Sequence, residues 1–534
     1  MGIYLNPGNS GFAEILQSDY VDKTGMIALM NEVVGTKRKL ACVSRPRRFG
    51  KSYAAQMLVA YYDCTCDSHE LFAGKEIAST ESYERHLNQY NVIALDITNF
   101  TSEVKTKQGD FREVPRMIEA AIRRDLDAAG CDGGSTLNDA LIHYAEKPGG
   151  RKFIFIIDEW DALIREAKDD PQAQDIYLNL LRGWFKNGNF TPRAVAAAYM
   201  TGILPIKKDG SQSAISEFEE YTMLHPYQFG KFVGFTEDEV RELCRKYHVS
   251  FDSMKKWYDG YTLKRVGSVY NPNSVMKAIR YDDFKSYWTE TSAFDGLKRY
   301  IGSGYSGMAR TIAELIAGIE VKVDPLGFAN DFTTFRSKDD VLTLMIHLGY
   351  LSYQSERGMV RIPNEEIKLE FQKSVREVEH KETMKRLAES DQLFLDTIEG
   401  KEEAVAAQIE KIHAEETSPL HYHTEASLRS VIKLAYYTYR DNYLQWEELP
   451  AGVGFADIVY LPKPESLWPV LVVELKWNRS AEGAIEQILR KNYPDSLKGY
   501  GGDILLVGVN YDKNAPSGER KHSCRIVKME EEAT

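Results

Sequence analysis

Six cysteines, at Cys42, Cys64, Cys66, Cys131, Cys244 and Cys524, do not fall into the spaced pairs of a disulfide framework. Reduced thiols are expected. Cys64, Cys66 and His69 lie close together but lack the second ligand pair a structural metal site needs, and read as thiols near a helix end. Long apolar runs are also missing: stretches such as Phe153 to Ile157 and Val470 to Val473 are far shorter than a membrane span. The N-terminus has no basic stretch followed by an apolar one, so a cytoplasmic protein without membrane association is expected. There is no internal repeat and no low-complexity tract. Positive charge is not in excess either. The formal net charge is −12, so a nucleic-acid partner has to be met by a local basic groove.

What is present is enough for two or three ordinary cores. The chain has 534 residues, 43% hydrophobic and 27% charged, which is the balance of a folded multidomain protein. From Leu40 to Phe235 apolar runs alternate with amphipathic ones: LACVS, a helix from Lys51, NVIALDIT, helices, FIFIID, helices, AVAAAYMT. The runs are almost continuously apolar, as in a parallel sheet covered on both faces, and predict an α/β domain over 1–235. Thr236 and Glu239 form a capping box that opens a helix through Lys246. From there a mainly helical middle region is expected over 236–418, with turns at WYDGY (Trp257 to Tyr261) and YNPNSV (Tyr270 to Val275). A third, small α/β unit is expected over 419–534: a helix over Thr424 to Tyr439, strands FADIVYL and VLVVELKW, a helix AIEQILRKN and a strand DILLVGVN.

The segment Arg45-Pro46-Arg47-Arg48-Phe49-Gly50-Lys51-Ser52 follows an apolar strand and precedes a helix, the setting of a Walker A loop. In such a loop the amides and the helix N-terminus hold phosphate oxygens, a lysine neutralises β and γ charge, and a hydroxyl ligates magnesium. Lys51 and Ser52 take those roles. Arg45 stands where glycine is usual, and Arg45, Arg47 and Arg48 are read as three cations beside the phosphate site. Downstream, Phe153 to Asp158 followed by Glu159 is an apolar strand ending in two carboxylates, a Walker B pattern. Asp158 suits the magnesium shell and Glu159 the orientation or deprotonation of the attacking water. Asp161 reads as a capping or structural carboxylate, and Thr201, ending the strand Ala194 to Met200, as a polar sensor for the γ-phosphate.

Near the C-terminus Asp457 lies in FADIVY, and the next strand carries Glu474-Leu-Lys476, a PD-(D/E)xK-like pattern. Glu474 and Lys476 share one strand face, while Val473, Leu475 and Trp477 take the other. Asp457 and Glu474 are candidate magnesium ligands, and Lys476 would position a nucleophilic water for phosphodiester hydrolysis. Glu425 is a candidate further carboxylate, and Gln487 and Tyr493 candidate substrate or water ligands. A solvent-facing edge strand is the plain alternative.

YVDKT (Tyr20 to Thr24), RPRRFGKS, FIIDEWD, TGILPIKKDGSQSAISEFEEYTML (Thr201 to Leu224), GFTEDEV, WYDGY, YNPNSV and GFADIVY with VVELKW resemble a bacterial family of AAA-ATPase-like proteins that carry a C-terminal domain of the PD-(D/E)xK nuclease superfamily. The resemblance implies an ASCE-type P-loop domain, a helical middle and a restriction-endonuclease-like C-terminal fold. It also makes Arg45 a feature of the family. Its implied ligands are ATP and magnesium, with nucleic acid, DNA before RNA, as partner; self-association stays open. The reading is of an ATPase whose nucleotide state gates a metal-dependent nuclease, against a nucleotide-switched DNA-binding or regulatory protein with an inactive nuclease-like domain.

Overall fold

The computed structural model describes residues 2–288 apart from 132, 207, 210, 211 and 214, then 305, 308–329, 335–377, 381–416, 428, 429, 431, 432, 435, 436, 443–451, 454–463, 468–490, 503–516 and 519–529. Two compact units emerge, Met1–Tyr300 with Lys322–Glu370, and Ile301–Val321 with Phe371–Thr534.

The first unit is built on five strands: β1 (Leu40–Ser44), β2 (Asn91–Asp96), β3 (Phe153–Asp158), β4 (Val195–Gly202) and β5 (Glu219–Tyr221). Their order is β2-β3-β4-β1-β5 and every pairing is parallel. β1, β3 and β4 are buried along their whole length, as their unbroken apolar and small residues require. β4 lies between the strand that feeds the phosphate loop and the strand that ends in Asp158. The register sets Asp96 opposite Asp158, so two carboxylates leave adjacent strands at the same edge. Helix α1 (Lys51–Tyr62) follows β1, and the short helix α2 (Ala162–Glu166) follows β3.

The expected boundary at 235 does not divide the molecule, and 236–418 is not a third body. Its residues up to Glu370, except 301–321, belong to the first unit, and those from 371 to the second. The reason is burial. Helices 237–247, 251–258 and α3 (Pro272–Tyr281) bury Val240, Leu243, Met254, Tyr258, Val275 and Ala278 together with Tyr287 in one cluster. Nor is the region wholly helical: 235–236, 261–263 and 267–270 form an antiparallel sheet. The capping box is present, with the Thr236 amide donating to Glu239 Oε2 at 2.7 Å. Asn271 caps α3, its Oδ1 accepting from the Asn273 amide at 3.0 Å ahead of Pro272 at the first helical position.

In the second unit β6 (Tyr443–Ala451), β7 (Gly454–Pro462), β8 (Val470–Trp477), β9 (Ile504–Tyr511) and β10 (His522–Met529) form one sheet in chain order. Only β8 and β9 pair in parallel. Val473 and Leu475 enter a core with Leu393, Val405 and Ile409, while Val470 and Val472 pack with Ile485 and Ile488 of helix α4 (Ala481–Arg490). Alternate residues of β8 therefore serve opposite faces. Most of the helix expected over Thr424 to Tyr439 lies outside the described residues.

Two positions make the first unit's packing testable. Gly260 of WYDGY has φ +109°, and a β-carbon there would stand 1.9 Å from the Pro363 carbonyl oxygen. Gly260→Ala should cost about 3 kcal/mol or more, read as a lower urea midpoint for the first unit. Arg45 is fully buried, its Nη1 donating to the Ser44 carbonyl at 2.8 Å and the Tyr221 carbonyl at 3.1 Å, and burial lowers its pKa to about 10. Arg45→Ala should cost about 2 kcal/mol in the same unfolding measurement. Arg45→Met should cost less, because it refills the volume without a buried charge.

Candidate functional site

A phosphate-binding loop has to present amides and keep side chains out of the way, and 45–52 does so. Arg48 has φ +68° and Gly50 φ +89°, left-handed turns of the kind that gather NH groups into an anion-binding concavity. Among the described residues, the backbone NH groups of Arg48, Phe49, Gly50, Lys51 and Ser52 donate to no other group. They stand at the N-terminus of α1, where orphan amides and the helix dipole favour an anion.

The loop opens on a cavity of about 700 Å³ within the first unit. Arg47, Arg48, Phe49, Gly50, Lys51 and Ser52 line one wall, and Asp96, Asp158, Glu159 and Arg165 a second. A third comes from α3, through Met276, Lys277 and Arg280, and a more apolar end from Tyr20, Val21, Phe232 and Phe235. Lys277, Arg280, Arg165 and Asp96 were not anticipated. The sequence offers one cue for the first two: a well-capped amphipathic helix, opened by Asn-Pro, with two basic residues three apart on its polar side.

Three expected residues are elsewhere. Arg45 does not line the cavity, so it is not a third cation beside the phosphate site; its guanidinium is spent on carbonyls inside the core. Thr201 is fully buried, and its hydroxyl donates to the Val43 carbonyl at 3.0 Å instead of reaching the cavity. Pro46 is not part of the lining either. Its carbonyl accepts from Lys51 Nζ at 3.0 Å, and its ring abuts Gly349, where a β-carbon would stand 2.8 Å from Pro46 Cβ.

The carboxylates are buried and unequal. Asp158 is pushed up to about 6, first by burial and then by its neighbours Glu159 and Asp96, against the Ser52 hydroxyl and Lys51. Burial also works against Glu159, but Lys51 and Arg165 outweigh it and hold its carboxyl below the ordinary value. Lys51 Nζ is 3.4 Å from Glu159 Oε1, and Arg165 Nη2 bonds Oε2. Asp161 does not cap its own helix. Its Oδ2 accepts the Ile203 and Leu204 amides at 3.2 and 2.9 Å, a structural role at the end of β4.

The downstream part of the unit grips the same loop. Phe49 meets Tyr261 edge to face at 5.4 Å between centroids, and Arg48 Nη1 donates to the Tyr287 carbonyl at 3.4 Å. Glu366, buried and raised to about 7 chiefly by desolvation, takes the Ser274 hydroxyl at 2.9 Å and the Tyr287 amide at 2.8 Å, anchoring α3 and the strand of chain that follows it.

In the second unit Glu474 is buried, with Lys476 Nζ at 2.9 Å from Oε1 and the Gln487 amide on the same oxygen. Asp457 Oδ2 accepts the Leu475 amide at 2.8 Å, and Arg429 is 3.3 Å from Oδ1. Asp457, Glu474, Lys476 and Gln487 are thus linked across β7, β8 and α4. Glu425 and Tyr493 lie outside the described residues. Cys64, Cys66 and His69 form no cluster able to hold a metal among the described residues.

An uncharacterised protein of the vnfD 5′ region in Azotobacter chroococcum mcd 1 is 24% identical over 290 residues, which is 53% of this chain and 53% of that protein. The match therefore spans about half of that relative's length. Among solved structures, the Walker-type ATPase PABY2304 of Pyrococcus abyssi aligns with TM-score 0.32 and 12% identity, over 66% of this chain and 94% of its own. The ORC2 protein of Aeropyrum pernix, solved in ADPNP–ADP complexes, aligns with TM-score 0.30 and 11% identity, over 68% and 97%. Scores this low do not define a fold; the sheet order does. Residues 7–211 match the model of the AAA-ATPase_like family, described as predicted AAA-ATPase, and the chain carries an AAA-ATPase-like domain at its N-terminal end.

Proposed function

We propose that the first unit binds and hydrolyses ATP with magnesium, and that the second acts on nucleic acid as a metal-dependent nuclease under control of the nucleotide. The observation that carries the first half is the meeting, in one cavity, of five undonated loop amides with Lys51, Ser52, Asp158 and Glu159. The loop amides and Lys51 hold the β- and γ-phosphates, with Arg47, Arg48, Lys277 and Arg280 around them. Asp158 and the Ser52 hydroxyl beside it are a pair of hard oxygen donors that fits magnesium. Magnesium, when bound, neutralises phosphate charge. Glu159 orients the attacking water and accepts its proton. Tyr20, Val21, Phe232 and Phe235 offer an apolar berth to the base.

For the second unit the support is the grouping of Asp457, Glu474 and Lys476 at adjoining strands, two oxygen donors and a cation suited to a magnesium-dependent phosphodiesterase. A second reading, a nucleotide-switched protein that binds DNA without cutting it, draws on the same site. Asp457 is held by Arg429 and Glu474 by Lys476, so each candidate metal ligand is already paired with a cation.

Lys51→Ala should weaken ATP binding at least about thirtyfold by calorimetry. Glu159→Gln should keep binding and lower turnover by about 10²- to 10³-fold. In a cleavage assay with magnesium or manganese on linear, circular and single-stranded DNA and on RNA, Glu474→Ala should abolish ATP-modulated cleavage while ATP affinity stays unchanged. Absence of cleavage by wild type on every substrate, with ATP bound, would select the second reading.

A further inference from the structure

Arg165 lies on α2, seven residues beyond the strand that ends in Asp158, and nothing in the sequence patterns marks it. Its guanidinium joins two carboxylates: Nη2 bonds Glu159 Oε2, and Nε stands 3.3 Å from Asp161 Oδ2. Asp161 is fully buried and is itself held by the Ile203 and Leu204 amides, so Arg165 is fixed from behind by the end of the sheet. From the front it lines the cavity. Glu159 has φ +48°, a left-handed backbone that a non-glycine residue keeps only when its surroundings dictate it. Lys51, a second cation on Glu159, is shared with the Pro46 carbonyl, and Arg47 acts on the same carboxylate.

We infer that Arg165 is a positioning residue for the nucleotide reaction, the fixed counter-charge that holds the Glu159 carboxylate in place beside the γ-phosphate. The inference rests on the cavity being a triphosphate site. Lys51 serves two masters: when phosphates arrive, they compete for its single ammonium. Glu159 then keeps Arg165 as its directly bonded cation, with Arg47 acting on it from farther off, against the negative charge that has entered next to it. At such separations two uncompensated like charges repel strongly in a poorly hydrated site. A lysine at 165 would have one charged nitrogen for two carboxylates, whereas the guanidinium fork offers separate NH groups to each. The charge on Glu159 matters most where a γ-phosphate is present, so the role of Arg165 has a signature: it separates ATP from ADP.

The test is calorimetric binding of ATP and ADP, each with magnesium, to the full chain. Arg165→Leu should weaken ATP by about tenfold or more while ADP changes much less. Adding Glu159→Gln to it should restore the ATP affinity; adding Asp161→Asn should not. If Arg165→Leu fails to fold because Asp161 is left buried and charged, the pair Asp161→Asn/Arg165→Leu is compared with Asp161→Asn alone, and the same selective loss of ATP is expected. Equal losses for ATP and ADP, or restoration by Asp161→Asn and not by Glu159→Gln, would reduce Arg165 to a structural partner of Asp161 and overturn the inference while leaving the nucleotide site standing. A wild-type chain that binds neither nucleotide would remove both.

Discussion

A loop that wraps phosphate must turn its amides toward the ligand, and its side chains then have to be put somewhere else. Usually glycine answers by having none. Here the loop is RPRRF, and four of its five side chains have a destination in the protein while Arg47 lines the cavity. Arg45 goes into the core onto two carbonyls, Pro46 rests against Gly349, Arg48 reaches the Tyr287 carbonyl and Phe49 meets the edge of Tyr261. Three of these four destinations lie more than 200 residues downstream. The shape of the phosphate loop therefore depends on the region after 235, which explains why that region joins the first unit and does not fold apart from it.

The same dependence carries charge. Lys51, Glu159, Arg165 and Asp161 alternate in sign from the loop to the backbone at Ile203 and Leu204. Opposite them α3 brings Lys277 and Arg280, and Glu366 pins its first turn through Ser274. A nucleotide entering this cavity would change the partners of groups on both sides. That is the physical basis for reading it as a switch and not only as a binding pocket.

Much of this was legible from the residues. Strands covered on both faces announce themselves by unbroken apolar runs, and LACVS, NVIALD, FIFIID and AVAAAYM became a single parallel sheet. Lys51, Ser52, Asp158 and Glu159 follow from strand ends and spacing, and they do meet in one cavity. Direction was not legible. Nothing in RPRRFGKS tells that the first arginine turns inward while the second and third turn outward, nor that the Thr201 hydroxyl is taken by Val43. Lys277 and Arg280 were hidden because a basic pair on an amphipathic helix is usually a solvated face. β6 and β10 were missed because edge strands mix polar and apolar residues, as HSCRIVKM does, and give no continuous run. The second unit's pairing of Asp457 with Arg429 depends on a helix residue far from it in sequence, so spacing within the strands could not reveal it.

Hydrogen exchange of the full chain with and without magnesium and a non-hydrolysable ATP analogue tests the central claim, that loop and α3 close on one triphosphate. The account predicts slower exchange in both 46–53 and 272–281 on adding the analogue, and loss of both effects together in Lys51→Ala. Protection of the loop with no change over 272–281, or no change in either, would contradict it.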